Sequence, residues 1–239
     1  MLELHKVSKY FGGLAAIHDV SVTIQEGEFT GLIGPNGSGK TTLFNIITGV
    51  VKPTSGRVGF MGKDITGLLP DKICHSGISR TFQIPKPFKS LSAVENIKAG
   101  FLFGKGGGYR DGNPDEEASR LMELVGLKVD ESTTPGGLNI IDLRRLELAR
   151  ALATKPRLLL LDEVMSGLNQ AEISEASLVL HKVRREWGIT IIWVEHIMAA
   201  LMNLVERVII LQHGEVLAEG NPSEVSKDKR VIEAYLGKE

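Results

Sequence analysis

The stretch EFTGLIGPNGSGKTTLFNIITG, Glu28 to Gly49, decides the fold. Its first six residues are largely apolar and read as a buried strand, while TTLFNIITG carries the apolar spacing of a helix. Between them, Gly34 to Thr41 fits G-x-x-x-x-G-K-[ST]. Glycines let successive backbone N–H groups curl around phosphate oxygens, and the N-terminus of the following helix adds positive potential. Lys40 is then placed to reach the β and γ phosphates, and the Thr41 hydroxyl to hold Mg²⁺. Gly34, Pro35, Asn36, Gly37, Ser38, Gly39, Lys40, Thr41 and Thr42 are therefore the candidate nucleotide-binding residues.

Such a loop needs an acidic partner for the metal at the end of a buried strand. RLLLLDE, Arg157 to Glu163, supplies it. Four leucines in a row read as a core strand, with Asp162 at its C-terminal edge to hold Mg²⁺ and Glu163 to act as base or to position the attacking water. An Asp-Glu pair at a strand end means little alone, since acids often meet solvent there; beside the glycine-rich loop it gains meaning.

Apolar, β-branched runs recur between helical patterns along the chain: VSVTI, EFTGLIG, RVGFMG, RLLLLD, ITIIWVEH and RVIILQHG. That alternation predicts an α/β fold with central strands covered on both faces. Residues 2–8, 20–24 and 57–61, joined by short turns, read as an antiparallel portion, and the later runs as parallel strands. From about Gln83 to Lys155 the pattern turns helical. There Ser92 and Glu95 form a capping box, and Asn113, Pro114, a first turn of acids and Gly126 bound a second helix. The expected architecture is a P-loop NTPase (RecA-like) core with an antiparallel β subdomain and an inserted α-helical subdomain. Residues 1–83 and 156–239 form the core and 84–155 the insert, all within one domain of 239 residues.

Composition narrows the partners. With 42% hydrophobic residues the chain can bury a sizeable core, and 28 Lys and Arg against 29 acids leave a net charge of -1. That balance offers no positive field to hold nucleic acid, so none is expected as a partner. The single cysteine, Cys74, rules out an intrachain disulfide and reads as a small half-buried hydrophobe. The N-terminal residues lack a signal-peptide pattern, and no stretch approaches the roughly 20 apolar residues that span a bilayer. Any membrane role must come through a partner.

With these residues in place, the chain resembles the nucleotide-binding subunits of ABC transporters over essentially its whole length. Phe11 in KYFGG matches the aromatic that stacks on adenine, and Gln83 in RTFQIP the glutamine that senses Mg²⁺ and the attacking water. His196 in VEHIM matches the histidine that contacts the γ-phosphate, and SGLNQAE, Ser166 to Glu172, the loop after the acidic strand, with Asn169 where many relatives have Asp. The resemblance thus implies Glu163, His196, Gln83 and Lys40 as catalytic residues, Thr41, Gln83 and Asp162 as Mg²⁺ ligands, and ATP as the nucleotide. GLAAIHDVSVTI, SGRVGFMGKDITG, GISRTFQIPKPFKSLSAVENI and GEVLAEGNPSEV look like the ATPases of branched-chain and hydrophobic amino-acid importers; close relatives serve urea or short amides. It further implies a second ATPase subunit closing head to tail, integral-membrane permease subunits docking near Phe88 and Leu91, a substrate-binding protein acting indirectly, and a place on the cytoplasmic face of the membrane. A soluble ABC ATPase of DNA repair or translation would normally carry a tandem cassette, a coiled-coil insert or a basic face, none of which appears. A guanine-specific Asn-Lys-x-Asp motif is also absent.

One element departs from the family pattern. Where relatives carry Leu-Ser-Gly-Gly-Gln or Leu-Ser-Tyr-Gly-Gln before an Arg-rich helix, this chain has PGGLNIIDLRRLELAR, Pro135 to Arg150. Ungapped alignment puts Asn139 at the serine, Ile141 at the second glycine and Asp142 at the glutamine; a four-residue gap would put TPGGL there instead. In the ungapped register Asn139 caps the helix and Asp142 stands at N3. A carboxylate about 4 Å from a phosphate charge would cost on the order of 4 kcal/mol at an effective dielectric of 20. The reading is of a helix start suited to capping itself rather than to gripping ATP.

Overall fold

Strands that must be covered on both faces need continuous apolar runs, and strands covered on one face need alternation; this chain has both kinds. The computed structural model describes residues 1–104, 112–164, 168–195, 201 and 204–236. In chain order these give β1 (Leu2–Phe11), β2 (Leu14–Ile24), β3 (Phe29–Ile33), α1 (Lys40–Ile47), β4 (Ser55–Phe60), β5 (Lys63–Asp64), α2 (Pro70–Ser76), β6 (Ile78–Arg80), α3 (Ala93–Phe103), α4 (Pro114–Leu124), α5 (Ile140–Ala153), β7 (Leu158–Asp162), α6 (Gln170–Trp187), β8 (Thr190–Val194), β9 (Arg207–Gln212) and β10 (Glu215–Gly220). Two further short helices follow, Pro222–Val225 and Lys229–Leu236. The chain divides into two compact units, Met1–Ile73 with Thr190–Glu239, and Cys74–Ile189. Among the described residues no helix is long and apolar enough to cross a membrane.

In the first unit, β1 pairs antiparallel with both β2 and β4, and β5 continues from β4. Ile17, Val20, Val22 and Ile24 of β2 are buried while Ser21 and Thr23 between them are exposed, the period-2 signature of a one-sided sheet. The strands run longer than the apolar runs 2–8 and 20–24, because β-bulges carry the pairing through polar residues; Lys6, at φ 47°, lies within one such register shift. The same unit holds β3 between β8 and β9, parallel to both, with β10 antiparallel to β9. Every residue of β3 and β8 is buried, and Phe29 stacks on Trp193 with ring centroids 5.8 Å apart.

In the second unit β6 pairs parallel with β7, whose four leucines and Asp162 are all buried. Helices α3, α4 and α5 pack on one another. The caps fall where local chemistry puts them. Ser92 and Glu95 close a reciprocal capping box, Asn113 accepts from the Asp115 N–H, and Gly126 takes φ 70° just past α4. Strands β6 and β10 have no run of their own in the sequence pattern. One has three residues and the other is half-buried at most positions, so neither makes a continuous apolar segment. Cys74 is half-buried, its thiol raised by burial and directed at the Phe103 carbonyl oxygen 3.3 Å away.

Candidate nucleotide site

The glycine-rich loop is shaped by its neighbours as well as by its glycines. A Cβ on Gly34 would stand 2.2 Å from the Leu211 carbonyl oxygen and 2.6 Å from Ser38 Oγ, and one on Gly39 would stand 2.6 Å from the Ala16 carbonyl oxygen. Gly39 also has φ 106°, a conformation that costs any side chain strain. The turn between β9 and β10 braces the loop, the Gly214 N–H donating to the Ser38 carbonyl at 3.0 Å. Inside it, Lys40 is 6% exposed, and its Nζ donates to the Gly34 and Pro35 carbonyl oxygens at 2.7 and 3.0 Å.

The start of α1 differs from the other long helices. Ser92, Asn113, Asn139 and Asn169 take N-terminal N–H groups of α3, α4, α5 and α6 with their side chains, whereas α1 begins at Gly39 with no side-chain cap. Its first N–H groups carry the positive end of the helix dipole and suit an anion. Phe11 closes β1, half exposed, with Lys9 Nζ 5.0 Å from its ring centroid.

The acidic strand end belongs to the second unit. Asp162 is 4% exposed, and its Oδ2 accepts from Arg80 Nη2 at 2.6 Å. Arg80, itself nearly buried, supplies the counter-charge without which a carboxylate at that depth would cost several kcal/mol. Next along, Glu163 has φ 50°, a left-handed conformation uncommon for a non-glycine residue, and such strain gathers at functional positions. Gln83 Nε2 donates to Glu163 Oε2 at 2.6 Å, so residues 80 apart in sequence meet as one pair. His196 and residues 165–167 lie outside the described residues. Thr41, Gln83 and Asp162 are all hard oxygen donors, the set that suits Mg²⁺. Among the described residues no group of three or more His, Cys, Asp or Glu could hold a metal ion.

The sequence pattern missed three side chains near Gln83: Arg80, Glu147 and Arg150. Glu147 sits on α5, 6% exposed, and accepts the Phe82 and Lys86 N–H groups at 3.2 and 3.4 Å. Its one sequence signal is an acid among the apolar positions of the Arg-rich helix. Burial pushes the Glu147 carboxyl from 4.5 up to about 7, against the pull of those two N–H groups, Arg150 and Arg80. The folded state therefore holds the proton more tightly than the unfolded chain does. Its stabilisation is complete below about pH 4.5 and is lost as pH rises through 7, a span worth about 3 kcal/mol. In chemical denaturation, the wild type is expected to lose about that much more stability than Glu147→Gln between pH 4.5 and 7.5.

At the start of α5, Asn139 Oδ1 accepts the Ile141 and Asp142 N–H groups, each at 2.9 Å. The reciprocal bond differs from a true capping box: Asp142 Oδ2 accepts from the Asn139 side-chain amide at 2.7 Å, where the N-cap backbone N–H was the expected donor. Asp142 is too short to reach back that far, as Glu does at Glu95 and Glu172. Pro135–Gly137 forms a separate single 3₁₀ turn ahead of the helix.

A glycine-rich loop between a buried parallel strand and an uncapped helix, with an acid pair ending a second buried parallel strand, defines a P-loop nucleotide-hydrolysing fold. The ABC transporter family profile matches residues 17–166, and a branched-chain amino acid ATP-binding cassette transporter profile matches residues 215–239. The chain is similar to the high-affinity branched-chain amino acid transport ATP-binding protein BraF of Pseudomonas aeruginosa, at 36% identity covering 99% of this chain and 98% of that one. It is also similar to the corresponding protein LivG of Escherichia coli, at 34% identity with the same coverage. Among solved structures, a nucleotide-free ATP-binding cassette from an ABC transporter superposes with TM-score 0.88 at 31% identity, covering 100% of this chain and 99% of that one. A dimeric cassette in a post-hydrolysis state with ADP and Pi superposes with TM-score 0.84 at 30% identity, covering 93% and 99%. The chain belongs to the ABC transporter family as an ATP-binding, ATP-hydrolysing member.

Proposed function

We propose that this chain powers import of branched-chain or other hydrophobic amino acids through separate membrane subunits, hydrolysing ATP as one of a pair of ATPase subunits. The observation that carries the ATP site is the start of α1, whose N–H groups no side chain caps and whose loop encloses the Lys40 ammonium. The substrate class is supported by the names of the relatives and by the profile over residues 215–239. In this reading residues 34–42 bind the phosphates, Phe11 stacks on adenine, and Thr41, Gln83 and Asp162 hold Mg²⁺, which offsets charge on the phosphates. Glu163 takes the proton of the attacking water or orients it, Gln83 holds Glu163 in place, and His196 contacts the γ-phosphate. The core comprises residues 1–83 and 156–239, with 84–155 as the helical subdomain; the complex lies on the cytoplasmic face of the membrane, served by a substrate-binding protein. Vesicles holding the chain with its membrane subunits are expected to take up labelled leucine when ATP is supplied on the side bearing the chain. Uptake of urea or a short amide in place of leucine would overturn the substrate class.

The α5 N-terminus supports unequal ATP sites in a heterodimer, because Asn139 Oδ1 already takes the Ile141 and Asp142 N–H groups and the Asp142 carboxylate is bonded to the Asn139 amide beside them, at the helix start that the family resemblance turns toward a partner's nucleotide. Ile141→Gly with Asp142→Gln is expected to raise ATPase activity of a homodimer, or of the whole transporter, at least roughly five-fold, equivalent to about 1 kcal/mol of barrier. Unchanged activity and nucleotide affinity would count against it.

A further inference from the structure

The segment around Gln83 has little to hold it by packing. Ile84 is 74% exposed, Phe88 45% and Phe82 37%, and Pro85 and Pro87 donate no N–H. Such a segment should sit at the loosely held end of the structure's stability range. Asn96 of α3 holds the far end, accepting the Phe88 N–H at 2.8 Å and donating to the Phe88 carbonyl oxygen at 3.0 Å, and what ties residues 82–86 is α5. Glu147 Oε2 accepts the Phe82 N–H and Oε1 the Lys86 N–H, so one carboxyl group ties the backbone on both sides of Gln83. One helical turn later, Arg150 Nη1 donates to the Lys86 carbonyl oxygen at 2.8 Å, and its guanidinium lies 4.7 Å over the Phe88 ring centroid. A buried acid on a helix is a costly way to fill space, and an apolar side chain would pack there at lower cost.

We infer that Glu147 and Arg150 are positioning residues for hydrolysis, clamping segment 82–86 to α5 so that Gln83 stays hydrogen-bonded to Glu163. The inference rests on the reading that Gln83 and Glu163 act in ATP hydrolysis. The bonds that Glu147 and Arg150 make go to residues 82–88, so the clamp is expected to alter turnover and to leave ATP affinity unchanged.

The test is a double-mutant cycle on the full-length chain, with steady-state ATPase and ATP binding as readouts. Glu147→Leu is expected to lower kcat at least roughly ten-fold with KM for ATP within about two-fold, and to cause no additional loss in a Gln83→Ala background. Glu147→Gln, whose single amide oxygen can replace one of the two acceptors, should fall between Glu147→Leu and wild type. Losses that multiply, or a Glu147→Leu enzyme with wild-type kcat, overturn the clamp. Hydrogen exchange gives a second readout independent of turnover and of whether Glu147→Leu folds. At least one of the Phe82 and Lys86 amides should exchange at least roughly ten-fold faster in Glu147→Gln, with the α5 amides unchanged, and wild-type exchange at both overturns the clamp. Wild-type kcat in Gln83→Ala alone would instead strike the functional reading of Gln83, leaving the exchange result to decide the clamp.

Discussion

Lys40→Ala will bind ATP on the order of 10²–10⁴-fold more weakly than wild type, because it removes the two or so charge-assisted hydrogen bonds, each worth about 1.5–3 kcal/mol, that an ammonium makes to phosphate. The ammonium is already enclosed, 6% exposed and bonded to the Gly34 and Pro35 carbonyl oxygens. Its loss therefore also strands those acceptors, and the protein without nucleotide should be destabilised by about 1–3 kcal/mol. Titration calorimetry and thermal unfolding separate the two effects. In wild type, ATP should raise the melting temperature by mass action, and in Lys40→Ala that rise should vanish at millimolar nucleotide. Binding within threefold of wild type would place the phosphates elsewhere.

Glu163→Gln is expected to lose on the order of 10²–10⁴-fold in kcat while keeping ATP affinity within about threefold, the range for removing a positioned general base. Stability should barely move. Glutamine keeps an acceptor for the Gln83 amide, which donates to Glu163 Oε2 at 2.6 Å, and inherits the same φ of 50°. Glu163→Gly makes the complementary case. It relieves the left-handed strain, of order 1 kcal/mol, and should raise the melting temperature slightly while abolishing turnover. Retained hydrolysis in Glu163→Gln, measured as phosphate release, would remove Glu163 from the proton's path.

Residue sequence alone determined the features whose physics is local. A loop matching G-x-x-x-x-G-K-[ST] between strand and helix needs only its own glycines and its neighbours' periodicity to be read, and the leucines before Asp162 announce a strand buried on both faces. The caps at Ser92, Asn113 and Asn139 were legible for the same reason, since each bond spans two or three residues. Tertiary structure decided what depends on partners far along the chain. Nothing in the order of residues sets Arg80 on Asp162, 82 positions away, or ties both sides of Gln83 to Glu147, 61 and 65 positions away. The glycines of the opening stretch illustrate the division. Their motif suggests close approach to phosphate, yet Gly34 and Gly39 are also required because the Leu211 and Ala16 carbonyl oxygens leave no room for a Cβ. Backbone pattern can specify that a phosphate loop exists; close packing and charge pairing between distant segments give that loop and the acidic strand end their shapes.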